Sequence, residues 1–224
     1  MSAESAYPSS TLHEPLDVVH EDAWLLALVK PAGLLAVPGR GPDKADCLSA
    51  RAQHRWPGAL VVHRLDQATS GLMLLARDAS TQRRLSTAFA ERRVHKRYEA
   101  LVHGRLTAPT APDGWGDIDL PLIVDWPNRP RSKVDASLGK PSRTRWRPLA
   151  HDLIGHTTRL ALEPVTGRSH QLRVHLLALG HPIVGDTLYG QPDGADRLML
   201  HACALSLAHP AHGAPLTLHS TAPF

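Results

Sequence analysis

Short apolar runs separated by Pro, Gly and Asp turns dominate this chain, and helical periodicity interrupts them in three places. Leu16–Val19 and Leu25–Lys30 read as strands, with a Pro31-Ala32-Gly33 turn after the second. Leu60–Leu65 and Leu72–Arg77 are apolar runs of strand length around the polar turn Asp66–Gly71. Lys96–His103 alternates, which places Tyr98, Ala100 and Val102 on one face. Arg143–Leu149, Thr157–Leu162, Leu205–Ala208 and Leu216–Leu218 predict four further strands. Cys47–Trp56 reads as a helix, and Ser80–Arg93 carries Leu85 and Phe89 at i, i+4. Ser169–Leu179 predicts an amphipathic helix with Leu172, Leu176 and Leu179 on one side and Gly180 at its end. Pro109, Pro112, Pro121, Pro127 and Pro130 mark 107–140 as a long irregular connection. Strands outnumber helices and come in adjacent pairs, so the expected class is α+β: a mainly antiparallel sheet core with flanking helices and loops.

With 224 residues the chain suits one domain, expected over 16–224 behind a flexible tail at 1–15. No apolar run approaches the roughly 18 residues of a membrane helix, and the first sixteen residues lack the charge and apolar core of a signal peptide. The two cysteines, Cys47 and Cys203, have no zinc-type or CxxC spacing, so reduced thiols and a cytoplasmic location are expected. A net charge of +4 allows a nucleic-acid partner without establishing one. Its distribution is more telling. Bases outnumber acids over 77–105 and again over 129–147, and a wholly acidic stretch lies between them. If folding joins the clusters they form a phosphate-binding surface; otherwise they are a solvated helix face and a loose loop.

Two segments concentrate chemistry. In Val61-Val62-His63-Arg64-Leu65-Asp66-Gln67-Ala68-Thr69-Ser70-Gly71-Leu72 an apolar strand enters a polar turn and a second strand leaves it. A carboxylate on so rigid a turn suits a nucleophile or general base. The same pattern also fits a plain turn in which Asp66 bonds its own backbone. In Thr166-Gly167-Arg168-Ser169-His170-Gln171-Leu172-Arg173-Val174-His175, two Arg and two His crowd the first turns of a helix whose leucines fix the buried side. His170 and Arg173 are three apart and share a face, and an Arg at a buried edge needs a carboxylate partner. The alternative is a solvated Arg-rich helix. Fifteen histidines raise the question of a metal, but they scatter without ligand spacing, so none is expected.

Together with Lys96-Arg97-Tyr98, Lys30-Pro31-Ala32-Gly33-Leu34 and Gly180–Asp186, these segments resemble the RluA family of RNA pseudouridine synthases in order and spacing. The resemblance runs from about Leu16 to the C-terminus. It points to the family's short subgroup, without the S4-type RNA-binding domain many relatives carry, and Asp125-Trp126-Pro127-Asn128-Arg129-Pro130 matches that subgroup. It implies isomerisation of uridine to pseudouridine without cofactor, in a tRNA anticodon stem-loop and in a stem-loop of large-subunit rRNA. It also implies Asp66 as the essential carboxylate, with Arg173 near enough to orient it. Tyr98 is implied as the aromatic that stacks on the uracil, and Arg64 as the residue filling the gap left by the flipped base. His63, Thr69, His170 and Gln171 are expected to support these, and a monomer is expected. The alternatives are a related short synthase acting on another tRNA position and a catalytically silent RNA-binding factor on the same fold.

Overall fold

The computed structural model describes residues 15–41 and 44–224; all but the last residue of the expected tail lies outside them. The chain divides into two units, one comprising Met1–Val94 with Ser206–Ser220, the other His95–Leu205 with Thr221–Phe224.

The first unit carries β1 (Asp17–Glu21), β2 (Leu25–Lys30), α1 (Leu48–Arg55), β3 (Leu60–Val61), β4 (Ser70–Ala76) and α2 (Ala79–Ala90). Antiparallel ladders join β1 to β2 and β2 to β4, with Lys30 opposite Gly71 and Leu28 opposite Met73. Every residue of β4 is buried. Burial on both faces explains why its sequence is a continuous apolar run without alternation. One face meets Leu26, Leu28, Leu48 and Trp56 in a single cluster. Cys47 and Asp78 cap α1 and α2, and Asp78 accepts from the N–H groups of Ser80 and Thr81.

The run Leu60–Leu65 pairs over only two residues, Leu60 and Val61. The cause is His63. Its Nε2 accepts the Leu74 N–H at 2.9 Å, so a side chain takes the β4 donor that a longer strand would have used. Phe89 of α2 stacks on the same imidazole at 4.4 Å, and Gln82 donates to the Val61 carbonyl.

The second unit is built on β5 (His95–His103), β10 (Thr157–Pro164), β9 (Arg143–Asp152) and β6 (Gly116–Asp119), in that order across antiparallel ladders. It also holds β7 (Leu122–Val124), β8 (Ser132–Val134) and α3 (Gln171–Ala178). β11 (Leu200–Ala208) runs from this unit into the first, where β12 (Pro215–His219) pairs with it. The fold is α+β with mostly antiparallel strands, as the adjacent pairs of strand-like runs imply.

Two expectations fail here. The connection 107–140 is not irregular. It forms β6 and then a β7–β8 hairpin closed by a 3-10 turn at Trp126–Asn128. Strands of three or four residues interrupted by proline give too little alternation to detect. Nor is α3 amphipathic. Its residues Gln171–Leu176 are all buried, and the exposed large apolar residues are Leu177 and, at the end, Leu179. Gly180, at φ +81, does end it as expected.

Candidate active site

The turn after β3 belongs to the first unit. Its backbone closes through the Asp66 carbonyl, which accepts the Thr69 N–H at 3.1 Å. Thr69 is buried and Asp66 half-buried, while Arg64 points to solvent. Among the described residues Arg64 has no hydrogen-bond or ionic partner. The chain leaves the turn at Gly71, where φ is +115, a conformation that residues with a Cβ rarely adopt.

The turn is clamped from below by a residue to which sequence reasoning gave no role. Lys30 is fully buried at the end of β2, and its Nζ donates to the carbonyls of Pro31 (2.8 Å), Leu34 (2.7 Å) and Gln67 (3.0 Å). An ammonium offers three N–H donors, and here they join two loops. Gln67 and Gly33 reinforce the joint: Gly33 N–H donates to the Gln67 carbonyl, and the Gln67 amide to the Gly33 carbonyl, both at 2.9 Å. The residue next to Asp66 is thus held at its backbone and at its side chain. The sequence signal was a lysine ending an otherwise apolar strand, a position at which the charge must find acceptors or leave the core.

In the second unit Tyr98 lies on β5 opposite Leu162 of β10 and is half-buried. Lys96, two residues earlier on the same face, donates to the Thr166 carbonyl at 3.4 Å, so the blocks 96–98 and 166–175 meet. Gln171 saturates its amide. Its Oε1 accepts from the Thr166 hydroxyl (2.7 Å) and the Arg168 N–H (3.1 Å), and its Nε2 donates to the Arg143 carbonyl and the Thr144 hydroxyl. The Thr144 hydroxyl lies 2.9 Å from His175 Nδ1, and His175 Nε2 lies 3.0 Å from the Leu120 carbonyl. Burial pushes the His175 pKa down. A neutral ring with its proton on Nε2 satisfies both neighbours. Polar residues therefore face β9 from α3, which is why a helix with few leucines on that side is nonetheless buried.

Arg173 finds a carboxylate within its own unit. Its Nε and Nη2 donate to the two oxygens of Asp186 at 2.7 and 2.6 Å, a bidentate pair with both side chains almost wholly buried. Asp186 also accepts the N–H groups of Leu188 and Tyr189. Tyr189 then gathers the predicted residues. Its hydroxyl lies 2.7 Å from His170 Nδ1 and accepts the Ser132 N–H at 2.7 Å, and the Arg173 guanidinium sits 5.0 Å over its ring. His170 precedes α3 with φ +55, so this hydrogen bond fixes a residue in a left-handed conformation. His170 and Arg173 therefore converge on a shared tyrosine. Neither Asp186 nor Tyr189 was singled out from sequence, although the Gly180–Asp186 block ends on the first and the second follows it closely.

The RNA pseudouridylate synthase family profile matches residues 25–178, which span both units and all three motif blocks. The chain belongs to the RNA pseudouridylate synthase family. It is 45% identical over 210 residues to a "Dual-specificity RNA pseudouridine synthase RluA" of Yersinia pestis, covering 92% of this chain and 99% of that one. A protein of the same name from Vibrio vulnificus is 48% identical over 200 residues, covering 87% and 78%. Among solved structures, human RNA Pseudouridylate Synthase Domain Containing 1 superposes with a TM-score of 0.78 at 31% identity, covering 97% of this chain and 87% of that chain. This pseudouridine synthase isomerises uridine in RNA.

Among the described residues, His20, Asp22 and His209 form a group of the kind that can hold a metal. His20 Nε2 and His209 Nε2 lie 2.8 and 2.9 Å from the same oxygen of Asp22, a cluster not visible in the sequence spacing. Its hydrogen-bond polarity is wrong for a metal. His209 Nδ1 accepts the Ala211 N–H at 3.2 Å, so the ring proton is on Nε2 and is donated to Asp22. A ligating Nε2 needs its lone pair free and the proton on Nδ1. The cluster is a hydrogen-bonded tie. Burial pushes the Asp22 carboxyl up, but hydrogen bonds from His20, the Leu25 and Trp24 N–H groups and His209 outweigh it and hold the carboxyl far below the usual range.

Proposed function

We propose that this enzyme acts on two RNAs, a uridine in the anticodon stem-loop of tRNAs and a uridine in a stem-loop of large-subunit rRNA. The observation that carries this reading is the pair of dual-specificity relatives at 45 and 48% identity, the first matched over nearly its whole length. Their bacterial origin supports a cytoplasmic enzyme, and we take it to act as a monomer with 16–224 forming one catalytic domain.

In the reaction the N1–C1′ bond breaks, the uracil turns, and C5 bonds to C1′. The C5 hydrogen leaves as a proton and N1 gains one, so no electrons leave or enter and no cofactor is needed. Asp66 is the essential carboxylate in this reading, and the backbone clamp on Gln67 supports it as a fixed nucleophile or base. Arg64 fills the stack vacated by the flipped uridine; its exposure and lack of a partner among the described residues suit a guanidinium that must enter RNA. Tyr98 stacks on the uracil, and Arg173 binds the substrate side from a helix braced by Asp186, with His63, Thr69, His170 and Gln171 in support.

Carbodiimide labelling and primer extension test the reading directly. The purified protein, without added metal or cofactor, modifies both stem-loops, and Asp66→Ala modifies neither while binding RNA within a few-fold of wild type. Modification of only one RNA would reduce the substrate range to that class. Near-normal turnover by Asp66→Ala would end the carboxylate assignment.

A further inference from the structure

We propose that the β7–β8 hairpin is an RNA-reading arm, in which Trp126 stacks on an unpaired base while Arg131 and Lys133 hold adjacent phosphates. Trp126 lies at the hairpin's tip. Trp126 is 64% exposed, an unusual position for so large an aromatic surface. The Arg129 guanidinium lies 4.4 Å over one face of the indole. A ring covered on one face and so exposed overall presents its other face to solvent. That is the arrangement a nucleobase requires, because every base has a π-face and the guanidinium adds positive charge behind the stack.

The flanks supply the charge. Arg131 and Lys133 are exposed and border an open groove of about 280 Å³ whose far wall is Val174 and Leu177 of α3. Lys133 is only loosely held, 3.9 Å from Asp125. Arg131 places its guanidinium 5.2 Å over the Tyr189 ring and has no carboxylate partner among the described residues. Two cations bordering a groove beside an exposed indole match a strand that turns one base out of its stack.

The hairpin is also braced, as a reading element must be. The Ser132 N–H donates to the Tyr189 hydroxyl, which lies 2.7 Å from His170 at the start of α3, and the tip closes through Asp125: its side chain accepts from the Asn128 amide at 2.9 Å. Leu122 packs with Val174 and Tyr189. A base stacked on Trp126 thus meets an arm whose ordering cost is already met within the fold.

The inference rests on RNA being the substrate and not on which two RNAs are modified. Wild-type turnover on each stem-loop tests the substrate assignment. The arm is tested by comparing variant with wild type on whichever RNA the wild type modifies. Release of tritium from 5-labelled uridine gives kcat and KM, and Trp fluorescence quenching gives Kd. Trp126→Ala is expected to raise Kd and KM about 5- to 100-fold, and Trp126→Phe, which keeps a stacking ring, to recover most of that. Arg131→Ala and Lys133→Ala are each expected to lower the slope of log Kd against log salt by about one phosphate contact. Ile154→Ser, at the exposed turn between β9 and β10, serves as a control. Trp126→Ala within two-fold of wild type, or unchanged salt slopes in both charge variants, would overturn the proposal. Should Trp126→Ala fail to fold, Trp126→Leu, which keeps an apolar side chain but no stacking ring, within two-fold of Ile154→Ser together with unchanged slopes would overturn it equally.

Discussion

Lys30→Met keeps an apolar stem of similar length and removes three N–H donors. The carbonyls of Pro31, Leu34 and Gln67 then lose their partner at a site with no solvent access at the lysine. Orphaned buried acceptors cost about 1–3 kcal/mol each, and relaxation of the loops recovers part of it, so a net loss of about 3 kcal/mol is expected. In a chain of 224 residues that is a fall in Tm of roughly 6–12 °C. Thermal melts monitored by circular dichroism check it, and a fall under about 3 °C would show that the clamp is not a major support. Surviving folded protein should lose kcat more than it gains KM, because the residue neighbouring Asp66 is what the clamp fixes. The lysine itself touches backbone carbonyls in these bonds, so its part is to position.

At the scale of elements, α3 shows how a helix can be buried on its polar side. Gln171 and His175 turn toward β9 and exchange hydrogen bonds with Thr144, and His175 reaches the Leu120 carbonyl. Protonating His175 would place a donor at Nδ1 against a hydroxyl that already receives the Gln171 amide. Its folded pKa is lowered, so the unfolded chain binds the proton first as pH falls. The stability it contributes is therefore complete above the unfolded value of about 6.5 and declines below it. Tm should fall between pH 7 and 5, and His175→Gln, which cannot titrate, should lose part of that slope. An unchanged slope would place the sensitivity in other histidines. None of this burial was legible from leucine spacing, because the satisfied polar residues are indistinguishable in sequence from exposed ones. The strands of the antiparallel ladders were legible: β2 matches its expected bounds, β5 lies where alternation puts it, and β9 and β10 contain the expected runs Arg143–Leu149 and Thr157–Leu162. The motif blocks were legible too, since Asp66, Tyr98 and Arg173 lie in local patterns. What escaped were the partners that fix them, Lys30 by its bond to Gln67, and Asp186 and Tyr189 by pairings across a turn.

For the whole molecule, the first unit is completed by residues from the far end of the chain. His209 reaches Asp22 across 187 positions, too distant for any sequence pattern to link. Asp22 also receives the Trp24 and Leu25 N–H groups through its other oxygen, so one carboxylate holds the β1–β2 turn and the segment after β11 together. Asp22→Asn keeps the shape, but one of its two positions becomes an N–H₂ donor facing either the backbone N–H groups or the imidazoles. The expected cost is about 1–2 kcal/mol, or a Tm lower by roughly 2–8 °C at pH 7. Because the folded carboxyl is held far below its unfolded value, its contribution is whole above about pH 4 and is lost as pH falls through the folded value. The variant should therefore approach wild type in stability as the solution is acidified. Zinc separates the tie from a metal site: with His209 Nδ1 accepting an N–H, added zinc should leave the wild-type Tm within about a degree. A zinc-dependent rise in wild type that vanishes in Asp22→Asn would instead show that the imidazole can reverse its tautomer and that this end of the chain closes on an ion.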